Sequence, residues 1–184
     1  ETLPAGRALA SGELNALMQA CINDLTPAGF RDAAIIAVMA VAGPRRNELV
    51  NLSLADYDPE SGALKILHGK GNKQRVVYLD NGAAEALADW LTLRGSQPGA
   101  LFVPITKAGK LTYKTMTDQA IYNMLIKRAN QAGVSQFTPH DLRRTCITDL
   151  LEAKVDALIV AAIAGHASTD TTRKYDRRPE AAKQ

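Results

Sequence analysis

The chain has 184 residues, 46% of them hydrophobic, a net charge of +3 and a sequence pI of about 8.9. That apolar content can bury one good core, so a single domain is expected. Cys21 and Cys146 lack metal-type spacing, and no apolar run reaches transmembrane length, which leaves buried thiols in a reducing compartment and argues against a zinc module or a membrane span.

Residues 1–10 contain Pro4 and Gly6 and little pattern, and read as a linker; the start at Glu1 reads as a piece of something longer. A helix is expected over Ser11 to Asp24, with Leu14, Leu17, Met18 and Cys21 at i, i+3, i+4, i+7. Thr26-Pro27 is a start signal for a second helix, nearly apolar all round and therefore the buried one. Gly43-Pro44 stops it and puts Arg45 at the beginning of a short helix, where Glu48 shares its face and can hold the guanidinium.

Strand character follows over Leu54 to Tyr57, Ala63 to Leu67 and Arg75 to Leu79, separated by turn signals at 58–62 and 69–73. This reads as a three-stranded antiparallel meander, with Lys70 at the tip of its second hairpin. A helix capped by Asn81 runs to about Arg94, with Trp90 inward. Lys107 and Lys110 mark a basic turn. The helix from Thr117 to about Ala132 turns Ile121, Leu125 and Ile126 inward and Lys127 and Arg128 outward.

Thr138-Pro139 repeats the start signal, and the helix it opens carries His140 and Arg143 on one face. A further helix over Ala157 to Ala164 ends at Gly165, so His166 projects from an element end. A short last helix carries Tyr175. The fold class is therefore α+β, predominantly helical, with one small antiparallel sheet. Paired basic residues such as Arg45-Arg46, Arg143-Arg144 and Arg173-Lys174 suggest a nucleic-acid footprint, although solvated helix faces give the same pattern.

Chemically, the stretch from Thr138 to Tyr175 places His140, Arg143, His166 and Tyr175 within 36 residues, two imidazoles, a fixed cation and a phenol, without a nearby carboxylate or cysteine cluster to hold a metal. Arginine's planar fork suits a phosphate, and a phenol beside it can act as a nucleophile. Gly-Pro-Arg45-Arg-Asn-Glu-Leu, Gly-Lys70-Gly-Asn-Lys, His140-Asp-Leu-Arg143-Arg-Thr, Ala-Gly-His166 and Tyr175, in that order, resemble the catalytic set of the tyrosine recombinases, the phage-integrase family. Each motif alone is weak; five in order, from about residue 10 to residue 176, are specific. Two departures stand out: the family more usually has Leu where Pro44 stands and often His where Arg144 stands.

The resemblance implies the DNA breaking–rejoining fold, with a catalytic domain over 11–176. It also implies a missing N-terminal DNA-binding domain, for which 1–10 would be the linker, and a tail over 177–184 that is very short or cut. It implies site-specific strand cleavage and rejoining through a 3′-phosphotyrosine, without metal, ATP or other cofactor. Tyr175 would be the nucleophile, Arg45, Arg143 and His166 would hold the phosphate oxygens, Lys70 would be the acid, and His140 the base. Glu48 would orient Arg45, and Lys73, Arg75, Lys107, Lys110, Arg144 and Arg173 would touch backbone phosphates.

The implied partners are double-stranded attachment sites and, at full length, three more copies in a homotetramer, with a monomer allowed for this fragment. The implied location is the cytoplasm of a bacterium, nucleoid-associated, with the gene bacterial or carried by a phage. The rival readings are a type IB topoisomerase-like relaxer and a DNA-binding relative that does no chemistry. A phosphohydrolase with a histidine nucleophile has no supporting loop.

Overall fold

The computed structural model describes residues 6–68 and 73–176. The elements run α1 (Ser11–Ile22), α2 (Pro27–Ala42), α3 (Arg46–Val50), a 3-10 turn (Leu54–Asp56), β1 (Tyr57–Asp58), β2 (Ala63–His68), β3 (Lys73–Tyr78), α4 (Asn81–Arg94), α5 (Asp118–Ala132), α6 (Pro139–Glu152), α7 (Ala157–Ala164) and α8 (Thr169–Arg173). Among the described residues, no helix is long and apolar enough to cross a membrane.

Helix α2 is the axle. Ala34, Ile35, Ile36, Val38 and Ala42 are wholly buried, and α1, α4 and α6 all pack on it. Alternating alanines with β-branched residues lets neighbours approach from several sides without voids. Trp90 is fully buried and donates its indole N–H to the Leu101 carbonyl at 2.9 Å, which makes it a core residue. The cap of α4 is Asp80, which accepts from the Ala83 amide at 2.8 Å; Asn81, expected as the cap, is the first helical residue.

The sheet has the order β1-β2-β3, antiparallel throughout. Leu64 and Ile66 of β2 and Val77 of β3 face the core, while Leu67, Val76 and Tyr78 face out. The first expected strand is mostly the 3-10 turn, and only its end at Tyr57 pairs. Arg75 pairs with Ile66 and shares the inward face with Val77, because side chains alternate along a strand. The hairpin tip with Lys70 lies outside the described residues.

One expected side-chain direction changes in the packed core. Arg128, expected outward, has a fully buried side chain and donates to Asp32 at 2.9 Å and Asp24 at 2.8 Å. It lies on the same helical stripe as Ile121 and Leu125, so the two carboxylates let a cation occupy a core position. Residues 6–10 are extended along α6: the Arg7 amide donates to Asp141 and the Leu9 amide to Thr145 at 2.8 Å, with Leu9 buried.

Candidate active site

The C-terminal ends of α2 and α7, the start of α3 and one strand converge beside α6. Helix α2 ends in a left-handed Gly43 (φ 58°), and α7 ends in a left-handed Gly165 (φ 69°). Both positions need glycine: a Cβ would lie 3.1 Å from the Cys146 sulfur at Gly43 and 2.7 Å from Arg75 Nη1 at Gly165. Each end turns a carbonyl toward Arg143, whose Nη1 donates to Gly43 at 2.6 Å and whose Nη2 donates to Ala164 at 2.7 Å. Those carbonyls sit at the negative ends of two helices, so a buried guanidinium satisfies them and is aimed by them. Among the described residues, two of its five N–H groups are used, which leaves donors for an anion.

Pro44 cannot continue α2, and Arg45 follows in an extended conformation as the cap of α3. Glu48 reaches back one turn, accepting from the Arg45 amide at 2.8 Å and from Arg45 Nη1 at 3.1 Å. The same carboxylate accepts from Arg75 at 3.1 and 2.9 Å. Arg75 also donates to the Ile163 carbonyl at 2.7 Å, which ties β3 to α7. Glu48 therefore serves two guanidiniums from a buried position.

His140 stands in the first turn of α6, fixed by the reciprocal cap in which Asp141 accepts from the Thr138 amide and Thr138 from the Asp141 amide. Its Nε2 is 3.5 Å from the Tyr175 hydroxyl, at the outer edge of hydrogen-bonding reach. Tyr175 is buried in a small second core with Ile147, Leu151, Val160 and Ala164. Its ring stacks against His166 (6.1 Å between centroids, 15° between planes), and Arg144 lies 5.3 Å from its ring centre. His166 Nδ1 lies 2.8 Å from the Thr172 hydroxyl. An open pocket of about 440 Å³ is lined by Arg45, His140 and Arg143, with Pro44 and Tyr122 beside them.

The electrostatics follow from crowding cations into a half-dry site. Burial, then Arg45 and Arg75, bring Arg143 down to about 10, so it stays charged at neutral pH. Burial, followed by Arg143, Arg45 and Arg75, pushes His166 down to about 4. Loss of water, then Arg144 and Arg143, lowers His140 as well. Both imidazoles are thus held neutral. His140 can accept a proton, and His166 can donate one N–H without adding charge.

This has a consequence for stability. Between about pH 6.5 and about 4 the unfolded chain protonates His166 and the folded chain does not, so stability falls as the pH is lowered through that window. A His166→Gln variant should show a shallower loss of melting temperature over the same range than the parent. Equal slopes would mean that His166 is not held neutral.

Of the six expected phosphate contacts, Lys73, Lys107, Lys110 and Arg173 are exposed. Arg75 and Arg144 are not available at the surface: the strand's alternation turns Arg75 inward onto Glu48, and Arg144 packs between Asp141 and the Tyr175 ring. The partnership of Arg75 with Glu48 was missed, although the alternation of Arg75, Val77 and Leu79 was there to read. Thr172 was missed too, since nothing in its sequence setting marks it. Among the described residues, no group of three His, Cys, Asp or Glu side chains is arranged to hold a metal ion.

A sequence model of the Phage integrase family matches residues 7–181. The tyrosine recombinase XerC of Corynebacterium glutamicum is 34% identical over 149 residues, 79% of this chain and 46% of that protein. The tyrosine recombinase XerD of Neisseria meningitidis serogroup A is 33% identical over 82% of this chain and 51% of that protein. Among solved structures, XerA recombinase superposes with a TM-score of 0.81 at 30% identity, covering 99% of this chain and 63% of that one. This chain spans about half the length of the curated relatives it matches.

Proposed function

Because this chain belongs to the phage integrase family of tyrosine recombinases, we propose that it is the cutting and rejoining unit of a site-specific DNA recombinase. The observation that carries this reading is the placement of one buried phenol within 3.5 Å of a neutral His140 and stacked on His166, in a site built around Arg143. Tyr175 Oη attacks a backbone phosphorus, forming the Oη–P bond as the P–O5′ bond breaks. The phenol proton passes to His140 Nε2. Arg45, Arg143 and His166 hold the non-bridging oxygens and offset the charge that grows on them; one such donor is worth about a hundred- to a thousandfold in rate.

Lys70, three residues before Lys73 in sequence, is the proposed acid that protonates the departing O5′. A 5′-hydroxyl from a second strand reverses the step, because the phosphotyrosine ester conserves the bond energy. The duplex is held by Lys73, Lys107, Lys110 and Arg173 through its backbone, and Glu48 keeps Arg45 in position. The assembled form is a tetramer on two duplexes, acting in the cytoplasm where its DNA lies. Solved XerH complexes with its difH substrate, at 27% and 26% identity, support DNA as the partner.

The test is covalent trapping on nicked duplexes with a randomised arm, in the presence of a chelator. The expected product is a protein–DNA adduct whose phosphate maps to Tyr175, followed by joining to a supplied 5′-hydroxyl strand. An adduct through another residue, or no adduct from protein that binds the duplex, would sink the assignment.

A further inference from the structure

A neutral imidazole has one N–H, and the partner of one ring nitrogen decides which of the two carries it. We propose that Thr172 is a positioning residue that sets the tautomer of His166. Its hydroxyl donates to Nδ1 at 2.8 Å and leaves the ring proton on Nε2, available to a phosphate oxygen. This rests on the recombinase reading for the identity of the ligand, but not for the tautomer itself.

The direction of the hydrogen bond follows from the accounting of protons. Thr172 is fully buried, and among the described residues its hydroxyl has no second hydrogen-bonding partner. If Nδ1 carried the proton, the threonine O–H would be left buried with nothing to donate to. Donation to Nδ1 uses the only hydrogen that the hydroxyl has. The hydroxyl is carried on a short helix that Ser168 caps through the Asp170 amide at 3.1 Å.

The same residue holds the nucleophile by another group. The Thr172 carbonyl accepts the Tyr175 amide at 3.0 Å, one turn along. Side chain and backbone of Thr172 thus link His166 and Tyr175, whose rings lie nearly parallel. A side-chain substitution removes the first tie and keeps the second. The depressed pKa of His166 fits this arrangement, since a protonated ring would have to donate to the hydroxyl and strand its hydrogen.

The experiment is ¹⁵N NMR of the histidine rings in the protein, which has three histidines, beside single-turnover cleavage of the nicked duplex. The parent should show His166 protonated at Nε2 at neutral pH. Thr172→Val should move the proton to Nδ1 or mix the tautomers, and slow cleavage about tenfold to a hundredfold with duplex affinity unchanged. Thr172→Ser should restore both. A parent ring protonated at Nδ1, an unchanged tautomer in Thr172→Val, or a serine variant no better than the valine one would overturn the assignment. The parent spectrum needs no variant to fold. If the parent shows the Nε2 tautomer but forms no covalent adduct, the recombinase reading fails while the role of Thr172 in setting the ring stands.

Discussion

Tyr175→Phe is expected to lower covalent attachment to DNA by at least ~10⁴-fold, because it removes the proposed attacking oxygen. Stability should change by less than about 1 kcal/mol, because the lost hydroxyl makes one long contact to His140 at 3.5 Å. The ring keeps its place in the apolar cluster of Ile147, Leu151 and Val160, with His166 and Arg144 against it. Trapping on a nicked duplex and urea denaturation of the same preparation separate the two effects. A phenylalanine variant that still forms the adduct would remove Tyr175 as nucleophile. One that loses activity only by unfolding would mean that the hydroxyl is structural.

Glu48→Gln is expected to be damaging on both counts. Glu48 is buried and accepts from Arg45 and Arg75 together, and its charge is also felt by Arg143. The amide has the same shape, but it removes the counter-charge and turns a donor toward guanidinium donors. Breaking a buried pair in this way costs about 3–5 kcal/mol. Arg45 loses its hold as well, so cleavage should fall about a hundred- to a thousandfold in protein that remains folded. Denaturation midpoints and single-turnover rates check the two numbers. A stable, fully active Glu48→Gln protein would show that the arginines hold their positions without the carboxylate.

The helices were legible because their signals are local. Thr26-Pro27 and Thr138-Pro139 announce helix starts, and Gly43 and Gly165 sit where a left-handed residue must end one. The meander was legible from its turns, though the first strand shrank because residues 54–56 close a 3-10 turn rather than pair. Arg45, His140, Arg143, His166 and Tyr175 could be singled out from their order and context, even though they lie on or just beyond four different helices, α3, α6, α7 and α8.

What the sequence determined by itself is therefore the helices, the turns of the meander, the family resemblance and the candidates for the reactive groups, since periodicity, caps and motif order are all written within a few residues. The tertiary structure decided where the charges go. Arg75, Arg128 and Arg144 all read as surface cations, yet Arg128 and Arg144 are buried and Arg75 is half-buried, each against a partner distant in sequence or in another element: Asp32, the Tyr175 ring and Glu48. A sequence shows which face an arginine is on, but whether that face meets water, a carboxylate or an aromatic ring depends on which elements pack there. The burial that holds both imidazoles neutral, and the threonine that meets one of them, come from the same convergence of helix ends on α6.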